Sequence, residues 1–369
     1  MVLSLLVAAT AWTQDFTDID TLCFYDALQF RVINKAFDNS LTPYTRIPAY
    51  LKDSVRPDLW ERAKCSSGMA IRFATDSKAI AVRYNLLTNM HMAHMADTGI
   101  KGTDLYILDE EQGKWVFLNC NRPRKDSIQQ KVYVDKLDGL IHEYMIYLPL
   151  YDGVNWMQIG VDSTATITMP TLDNPRIGKK FVFYGTSILQ GGCATRTGMV
   201  ATSILQRDLG VECVNIGISG EGKMDFCMAR AMAQIPDVEA YIIDPVPNCT
   251  KMMCDTVTYD FINILRTLRP DVPIFMVEGP KYSYEDYNSF YATYLKEKNS
   301  EFHKNYMRLR ADNPRNLYYI DRDNLWGPDN EGTVDGIHIT DIGSIIMRRS
   351  SNRICRPYSM ELLCRSRIK

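Results

Sequence analysis

The sequence predicts an α/β domain built on a parallel sheet, preceded by an antiparallel β-sandwich. Three observations predict this arrangement. The chain has 369 residues, more than one domain of average size needs. From about Met69 to Met169 short runs alternate apolar and polar residues, whereas after Asn174 strand-like runs alternate with helix-like ones. We therefore expect the sandwich over residues 15–173 and the α/β domain over residues 174–346.

Eight short runs supply the predicted strands of the sandwich. Their period-two alternation buries one face of each strand, and clusters such as Thr75-Asp76-Ser77 predict turns between them. The preceding residues 20–68 hold no long periodic segment, but they carry Arg46 and predict a short helix near Asp58–Ala63. The eight runs are MAIRFAT, AIAVRYN, TDLYIL, KWVFLN, QKVYV, EYMIYL, MQIGV and ATITM.

The second half of the chain begins with KKFVFYG, a nearly continuous apolar run that is typical of a strand buried on both faces. Alternating strands and helices then predict parallel βαβ units with right-handed crossovers. The strands are expected at Val211–Ile216, Ala240–Asp244, Ile274–Glu278 and Leu317–Ile320, and the helices at Met199–Asp208, Met224–Ala233, Thr256–Arg269, Tyr287–Asp312 and Thr340–Met347. Such sheets bind ligands beyond the carboxyl ends of their strands.

Composition and charge exclude several classes of protein. Hydrophobic residues at 46% and charged residues at 23% exclude a disordered chain. The net charge of −2 offers no basic footprint for nucleic acid or an anionic membrane. No stretch approaches the ~20 apolar residues of a membrane-spanning helix. The ten cysteines show no CxxC spacing, so we predict neither a zinc module nor any other metal site.

Both ends of the chain differ from the rest in amino-acid composition. The apolar run Val2–Ala9 with Ala-Thr-Ala at its end is typical of a secretory signal, although no Lys or Arg precedes it, and a buried strand or helix start is the alternative. We expect residues 1–14 to be a signal segment and the protein to be secreted or periplasmic. Residues 347–369 carry seven basic residues and one acidic residue. A solvated end or a frameshifted reading explains this tail more simply than a binding site for an anionic partner.

One histidine is placed to act as a base. Among five histidines, only His338 has an acidic residue three positions upstream, Asp335, beyond the last predicted strand. That carboxylate can accept the Nδ1 proton of the imidazole and leave Nε2 free. Ser187 follows the first strand of the α/β domain, where such a base would activate its hydroxyl. No GxSxG elbow surrounds it, which excludes the usual α/β-hydrolase pattern.

Two further strand exits carry possible donors to an oxyanion. Gly220 can present its backbone N–H, and the side-chain amide of Asn248 can donate a hydrogen bond. Taken singly, Ser187 could be a helix N-cap, His338 a loop histidine, and Gly220 and Asn248 ordinary turn residues. Their occurrence in order at four strand exits favours the joint catalytic interpretation.

The segments that contain these residues resemble the four blocks of the SGNH (GDSL-type) hydrolase family. The blocks are GTS at 185–187, NIGISG at 215–220, PN at 247–248 and DGIH at 335–338. The resemblance covers residues from about 179 to 346 and implies a three-layer, flavodoxin-like α/β/α fold. It implies Ser187 as nucleophile, Asp335 and His338 as its partners, and an oxyanion hole of the Ser187 N–H, Gly220 and Asn248, with no cofactor.

The first half of the chain extends the resemblance. Gly102-Thr103-Asp104-Leu105-Tyr106 is similar to the GxDLY motif of a β-rich, jelly-roll-like domain that precedes one SGNH subfamily, common in secreted bacterial esterases. We take His94, Asp104 and Tyr106 as candidate substrate contacts of this domain. A metal site at His91 and His94 is a less favoured alternative, because their spacing is not diagnostic on a strand or loop.

These observations predict a serine esterase, with an O-acetyl ester of a carbohydrate as the preferred substrate. Its partner would be a small-molecule or polysaccharide ester, and neither nucleic acid nor a membrane span is expected. The alternatives are a lipid or aryl esterase or a thioesterase on the same residues, and a carbohydrate-binding protein without catalysis. The 21 Tyr, 13 Phe and 5 Trp residues could include sugar-stacking platforms, although aromatic residues more often belong to cores.

Overall fold

The computed structural model describes residues 17–322 and 329–348, with the side chain of Ile177 left out. The predicted signal segment 1–14 and the part of the basic tail beyond Arg348 lie outside the described residues.

The first half of the chain forms two antiparallel sheets. Their strands are β1 (Cys23–Asp26), β2 (Arg31–Ile33), β3 (Ala70–Thr75), β4 (Ile80–Leu86), β5 (Asp104–Asp109), β6 (Lys114–Cys120), β7 (Ile128–Val134), β8 (His142–Tyr147), β9 (Val154–Val161) and β10 (Ile167–Thr168). One sheet has the order β1-β9-β4-β7, and the other has the order β10-β3-β8-β5-β6 with β2 also paired to β3. Two short helices, α1 (Pro57–Ala63) and α2 (Asp97–Ile100), lie between strands.

The two sheets enclose one core, as the alternating pattern predicts. Phe73 and Ile146 from one sheet pack in the same buried cluster as Val82 and Ile159 from the other. All eight predicted runs form strands, which confirms the antiparallel β-sandwich. The strands β1 and β2 were not predicted, because segments of four and three residues are too short to display a period.

The second half forms a five-stranded parallel sheet. Its strands are β11 (Arg176–Gly185), β12 (Val211–Gly217), β13 (Val238–Asp244), β14 (Ile274–Val277) and β15 (Leu317–Ile320), in the order β12-β11-β13-β14-β15. The connecting helices are α3 (Ser187–Gln190), α4 (Ala201–Leu209), α5 (Phe226–Met232), α6 (Lys251–Thr256), α7 (Thr258–Leu268) and α8 (Ser289–Asp312). Residues 341–348 are also helical.

Both faces of this sheet are covered. Successive side chains of β11 enter different cores: Val182 and Tyr184 pack with α5 and α7, whereas Phe181 and Phe183 pack with Leu205 of α4. This burial explains why the sequence of β11 is almost continuously apolar. The predicted three-layer α/β/α arrangement is confirmed.

A segment between β2 and β3 packs against the parallel-sheet half. Ile47, Leu51 and Trp60 lie in the same buried cluster as Met228 and Met232 of α5. This segment therefore links the two halves of the chain, because Ile47, Leu51 and Trp60 lie in the core of the parallel-sheet half and Tyr44 lies in the core of the sandwich. No helix in the described ranges is long and apolar enough to cross a lipid bilayer.

Candidate active site

The hydroxyl of Ser187 is aligned with an imidazole. β11 ends at Gly185, Thr186 is extended, and Ser187 is the first residue of α3. The Thr186 side chain makes no capping bond, and Ser187 Oγ lies 2.9 Å from His338 Nε2. The hydroxyl is therefore engaged by a histidine that lies 151 residues away in sequence, and not by the helix end.

Asp335 contacts His338 at the ring nitrogen that does not face Ser187. The Oδ2 atom of Asp335 lies 2.7 Å from Nδ1 of the imidazole. Its Oδ1 atom accepts the backbone N–H groups of Ile337 and His338 at 3.0 and 2.8 Å. One carboxylate thus fixes both the ring and the backbone that carries it. If Nδ1 carries the proton, Nε2 is an acceptor that faces the Ser187 hydroxyl.

The electrostatics favour an ionised Asp335. Partial burial on its own would raise the pKa of the Asp335 carboxyl, but the hydrogen bonds from the His338 and Ile337 N–H groups and from the imidazole outweigh burial and leave this pKa below its usual value. The carboxylate is therefore charged at neutral pH and able to stabilise an imidazolium.

The loops after β12 and β13 meet beside Ser187. The Gly222 N–H donates to Asn248 Oδ1 at 3.3 Å, and the Ile218 N–H donates to the Gly185 carbonyl at 2.9 Å. A methyl group at Gly222 would overlap the Gly185 carbonyl, so this close approach requires glycine. Because its oxygen is occupied, Asn248 keeps its amide nitrogen as a donor.

Gly220 lies at the tip of this first loop, at φ +73° with open space around its Cα. The positive φ is a conformation that glycine adopts without steric cost. The Gly220 N–H donates to no residue in the described parts of the chain. The group is therefore free to bind an oxygen of a substrate.

Three contacts that the sequence did not reveal hold α3 in place. The Tyr151 hydroxyl donates to the Ser187 carbonyl at 3.0 Å, and Ser67 Oγ donates to the Gln190 carbonyl at 2.5 Å. Gln190 Oε1 in turn accepts the Ser219 N–H at 2.8 Å. Tyr151 and Ser67 come from the first half of the chain, so no local pattern could have indicated their role.

Arg46 stabilises the end of β12, where the loop that carries Gly220 begins. Its guanidinium is buried and donates to the carbonyls of Asn215 and Gly217 at 3.3 and 2.5 Å, and also to those of Cys65 and Arg62 at 2.7 and 2.8 Å. Burial lowers the pKa of this guanidinium below its usual value. The side chain replaces solvent for carbonyls that the strand leaves unpaired.

His94 extends from the first half of the chain to the catalytic histidine candidate. Its exposed ring lies 6.0 Å, centroid to centroid, from that of His338. His91, by contrast, has its Nδ1 atom 2.8 Å from Asp97 Oδ1. Within the described ranges, no group of three or more His, Cys, Asp or Glu side chains is arranged to hold a metal ion.

The GxDLY side chains occupy a different position from the one predicted. Asp104 and Tyr106 are 0% and 2% exposed, which corrects their assignment as substrate contacts. Arg196 Nη1 donates to Asp104 Oδ2 at 2.6 Å and to the Tyr106 hydroxyl at 2.7 Å, and the Gly198 N–H donates to Asp104 at 2.9 Å. The motif therefore joins the sandwich to the loop that follows α3.

Comparisons with known proteins agree with this architecture. The profile of the GDSL-like lipase/acylhydrolase family matches residues 178–356, and that of the N-terminal GxDLY domain of SGNH-hydrolase-type esterases matches residues 22–167. A search of curated proteins found no match to this sequence.

Three solved structures illustrate the range of similarity. A protein of Bacteroides ovatus described as a GDSL-like lipase has 32% sequence identity and a TM-score of 0.86, with 91% of this chain and 98% of that chain covered. A salicylyl-acyltransferase from a tetracycline biosynthetic pathway has 18% identity and a TM-score of 0.69, with 93% and 95% covered. A family two carbohydrate esterase of Clostridium thermocellum, solved with cellohexaose, has 13% identity and a TM-score of 0.60, with 89% and 98% covered. At these identities the last two share the fold alone.

The fold and the matched profiles define a serine esterase of the SGNH type with an N-terminal β-sandwich. The chain belongs to the GDSL-like lipase/acylhydrolase family. The resemblance drawn from the four sequence blocks and the GxDLY motif is thereby confirmed.

Proposed function

We propose that the protein hydrolyses O-acetyl esters of carbohydrates through an acyl-enzyme on Ser187. The observation that carries the chemistry is the continuous line from Ser187 Oγ to His338 Nε2 at 2.9 Å and from His338 Nδ1 to Asp335 at 2.7 Å. This is the arrangement that a hydroxyl needs to lose its proton as it attacks a carbonyl.

The first half of the reaction forms the acyl-enzyme. His338 Nε2 accepts the Ser187 proton while Oγ bonds to the acyl carbon, and the carbonyl electron pair moves to its oxygen. Asp335 stabilises the imidazolium and stays ionised itself. The N–H groups of Ser187 and Gly220 and the Asn248 amide bind the oxyanion, and each donor contributes about 3 kcal/mol to lowering the barrier.

The second half releases the products. The oxyanion collapses, the bond to the alcohol breaks, and the imidazolium gives its proton to the departing alcohol oxygen. Water then attacks the acyl-enzyme with His338 as base again, and acetate leaves with Ser187 restored. All proton transfers pass through one imidazole.

The preference for a carbohydrate ester rests on similarity of fold. The carbohydrate esterase of Clostridium thermocellum, solved with cellohexaose, resembles both halves of this chain and not only the parallel sheet. The lipid or aryl esterase, the thioesterase and the carbohydrate-binding protein without catalysis are the alternatives that the experiments below distinguish.

Ser187→Ala tests the mechanism. We expect this variant to lose hydrolysis of p-nitrophenyl acetate and covalent labelling by a fluorophosphonate, because both require the Oγ nucleophile. Ser300→Ala, an exposed serine on α8, is the matched control and should keep both. Labelling that persists in Ser187→Ala would overturn the assignment, and a wild-type protein that neither labels nor hydrolyses would favour the binding protein.

A panel of esters tests the substrate class. The wild-type protein should deacetylate acetylated xylan and p-nitrophenyl acetate faster than it cleaves long-chain lipid esters or acyl thioesters. Higher kcat/KM for either of the last two would replace the carbohydrate assignment with that alternative.

We also propose that His94 contacts the bound ester, because its exposed ring stands beside that of His338. His94→Ala is expected to raise KM for acetylated xylan several-fold and to change kcat less. An unchanged KM would remove His94 from the substrate site.

Export from the cytoplasm is proposed on the run Val2–Ala9 and the small residues that follow it. N-terminal sequencing of the protein recovered from its native host tests this proposal. A mature chain that still begins at residue 1 would contradict it.

A further inference from the structure

A cluster of aromatic rings lies where β14 leads into α8, outside the groups that the mechanism uses. Tyr284 and Tyr291 have ring centroids 4.9 Å apart, Tyr291 and Phe290 5.3 Å apart, and Phe290 and Tyr294 6.0 Å apart with nearly parallel planes. Tyr282 packs beneath Tyr284 at 5.8 Å and is buried. We call the outer four, Tyr284, Phe290, Tyr291 and Tyr294, the aromatic strip.

One end of the aromatic strip touches the loop that carries the base. The Ser283 N–H donates to the Gly336 carbonyl at 2.9 Å, and a methyl group added to Gly336 would lie 3.3 Å from the Tyr284 ring. Gly336 is the residue between Asp335 and Ile337, so Tyr284 borders the turn that holds His338.

The other end reaches the loop that carries the oxyanion donor. Lys298 Nζ lies 4.9 Å from the centroid of the Tyr294 ring and donates to the Pro247 carbonyl at 3.3 Å. Pro247 directly precedes Asn248. The aromatic strip therefore spans the distance between the two loops that flank Ser187.

The strip is partly open to solvent, because Tyr284, Tyr291 and Tyr294 are half-buried and Phe290 is exposed. Phe290 is 68% exposed, and the neighbouring Tyr287 is 92% exposed. Because the burial of apolar rings is favourable, a row of partly exposed rings that borders the loops of His338 and Asn248 indicates a surface that a ligand covers.

The chemistry of the strip selects the ligand. Its members carry no charge, the nearby Lys281 is paired with Asp286, and Lys298 is buried, so none of these side chains presents a free positive charge to a polyanion. Three of the four rings carry phenolic hydroxyls, which suit a ligand that is polar at its edges and apolar on its faces. A pyranose ring has this character, whereas an alkyl chain has no edge groups for the hydroxyls to bind.

We propose that the aromatic strip binds the chain of a neutral polysaccharide whose acetylated residue occupies the Ser187 site. This inference rests on the proposed function and adds to it that the substrate is an extended polymer held by sugars beyond the reacting one. The bound chain runs from Tyr284 beside the His338 turn toward Tyr294 above the Asn248 loop.

Substitutions at Phe290 test the strip. With acetylated xylan and acetylated glucomannan as polymers, we expect the ratio of kcat/KM for polymer to kcat/KM for p-nitrophenyl acetate to fall about tenfold in Phe290→Ala. Phe290→Tyr should keep the ratio, and Phe290→Leu should lose it, because leucine is apolar but has no flat face. Met307→Ala, also exposed on α8 but outside the strip, is the matched control and should keep the wild-type ratio.

Each outcome decides one question. A ratio unchanged in Phe290→Ala, or equal in Phe290→Leu and wild type, overturns the sugar-binding strip, and so does a wild-type protein that hydrolyses p-nitrophenyl acetate but neither polymer. A wild-type protein that hydrolyses none of the three esters refutes the proposed function instead. Thermal unfolding of each variant verifies that the fold is retained.

Discussion

Side chains at the centre of the site use one atom to shape a loop and another atom for chemistry. Asp335 accepts two backbone N–H groups with Oδ1 and faces the imidazole with Oδ2. Asn248 accepts the Gly222 N–H with its oxygen, which leaves its amide nitrogen for the proposed binding of the oxyanion. The division means that a substitution can remove the chemical role and leave the structural bond in place.

Asn248→Asp exploits this division. An aspartate keeps the oxygen that accepts the Gly222 N–H, but it replaces the amide donor with a negative oxygen. We expect kcat for p-nitrophenyl acetate to fall by about 10²–10³, as for removal of an oxyanion donor, with little change in melting temperature.

Asn248→Ala is the companion variant, because it loses the donor and the acceptor together. It should lose similar activity and also melt at a lower temperature than Asn248→Asp. If Asn248→Asp retained wild-type kcat, the amide nitrogen would have no part in binding the oxyanion.

At the scale of the element, the regular parts of the fold could be predicted because their signals are local. Period-two alternation gave all eight runs of the sandwich, and an apolar run gave β11. The helix expected at Thr256–Arg269 is confirmed as α7, whereas α6, which ends at Thr256, was not predicted. Thr250 begins α6 by accepting the Met253 N–H at 3.2 Å, an N-cap that could have indicated this helix from the sequence.

The residues of the site also divide into those that the sequence could predict and those that it could not. Asp335 and His338 are three residues apart across a turn, so the sequence could place them together. Ser187, Gly220 and Asn248 could be placed at one edge because parallel strands end there. Tyr151, Ser67 and Arg46 could not be found, because each acts on a loop more than 30 residues away in sequence.

The same reason explains the correction at Asp104 and Tyr106. A motif recognised in sequence identifies residues that matter without saying what they contact. Arg196, which binds both side chains, lies 92 residues beyond Asp104. Only the fold shows that the two buried side chains bind this arginine.

At the scale of the whole molecule, the sandwich packs closely against the parallel-sheet half and is not a separate attached module. Tyr151 and Ser67, from the sandwich half of the chain, bind α3. Ile47 and Trp60, from the segment between β2 and β3, pack in the core against α5. The Asp104–Arg196 pair adds a contact between the sandwich and the loop after α3. We therefore expect the two halves to unfold together.

Asp104→Ala tests this coupling. Arg196 would lose its carboxylate partner while its side chain stays 21% exposed, so we expect the free energy of unfolding to fall by about 3 kcal/mol. Urea unfolding is followed in a background in which Trp12, Trp60 and Trp326 are replaced by phenylalanine. The fluorescence of Trp115 and Trp156 then reports the sandwich, and esterase activity reports the parallel-sheet half. Both signals should shift to lower urea together, since the segment between β2 and β3 packs in the cores of both halves. Asp20→Ala, which removes an exposed partner of Arg83, should change stability by no more than about 1 kcal/mol. Fluorescence and activity that are lost at clearly different urea concentrations, in either the wild-type protein or Asp104→Ala, would mean that the halves are independent.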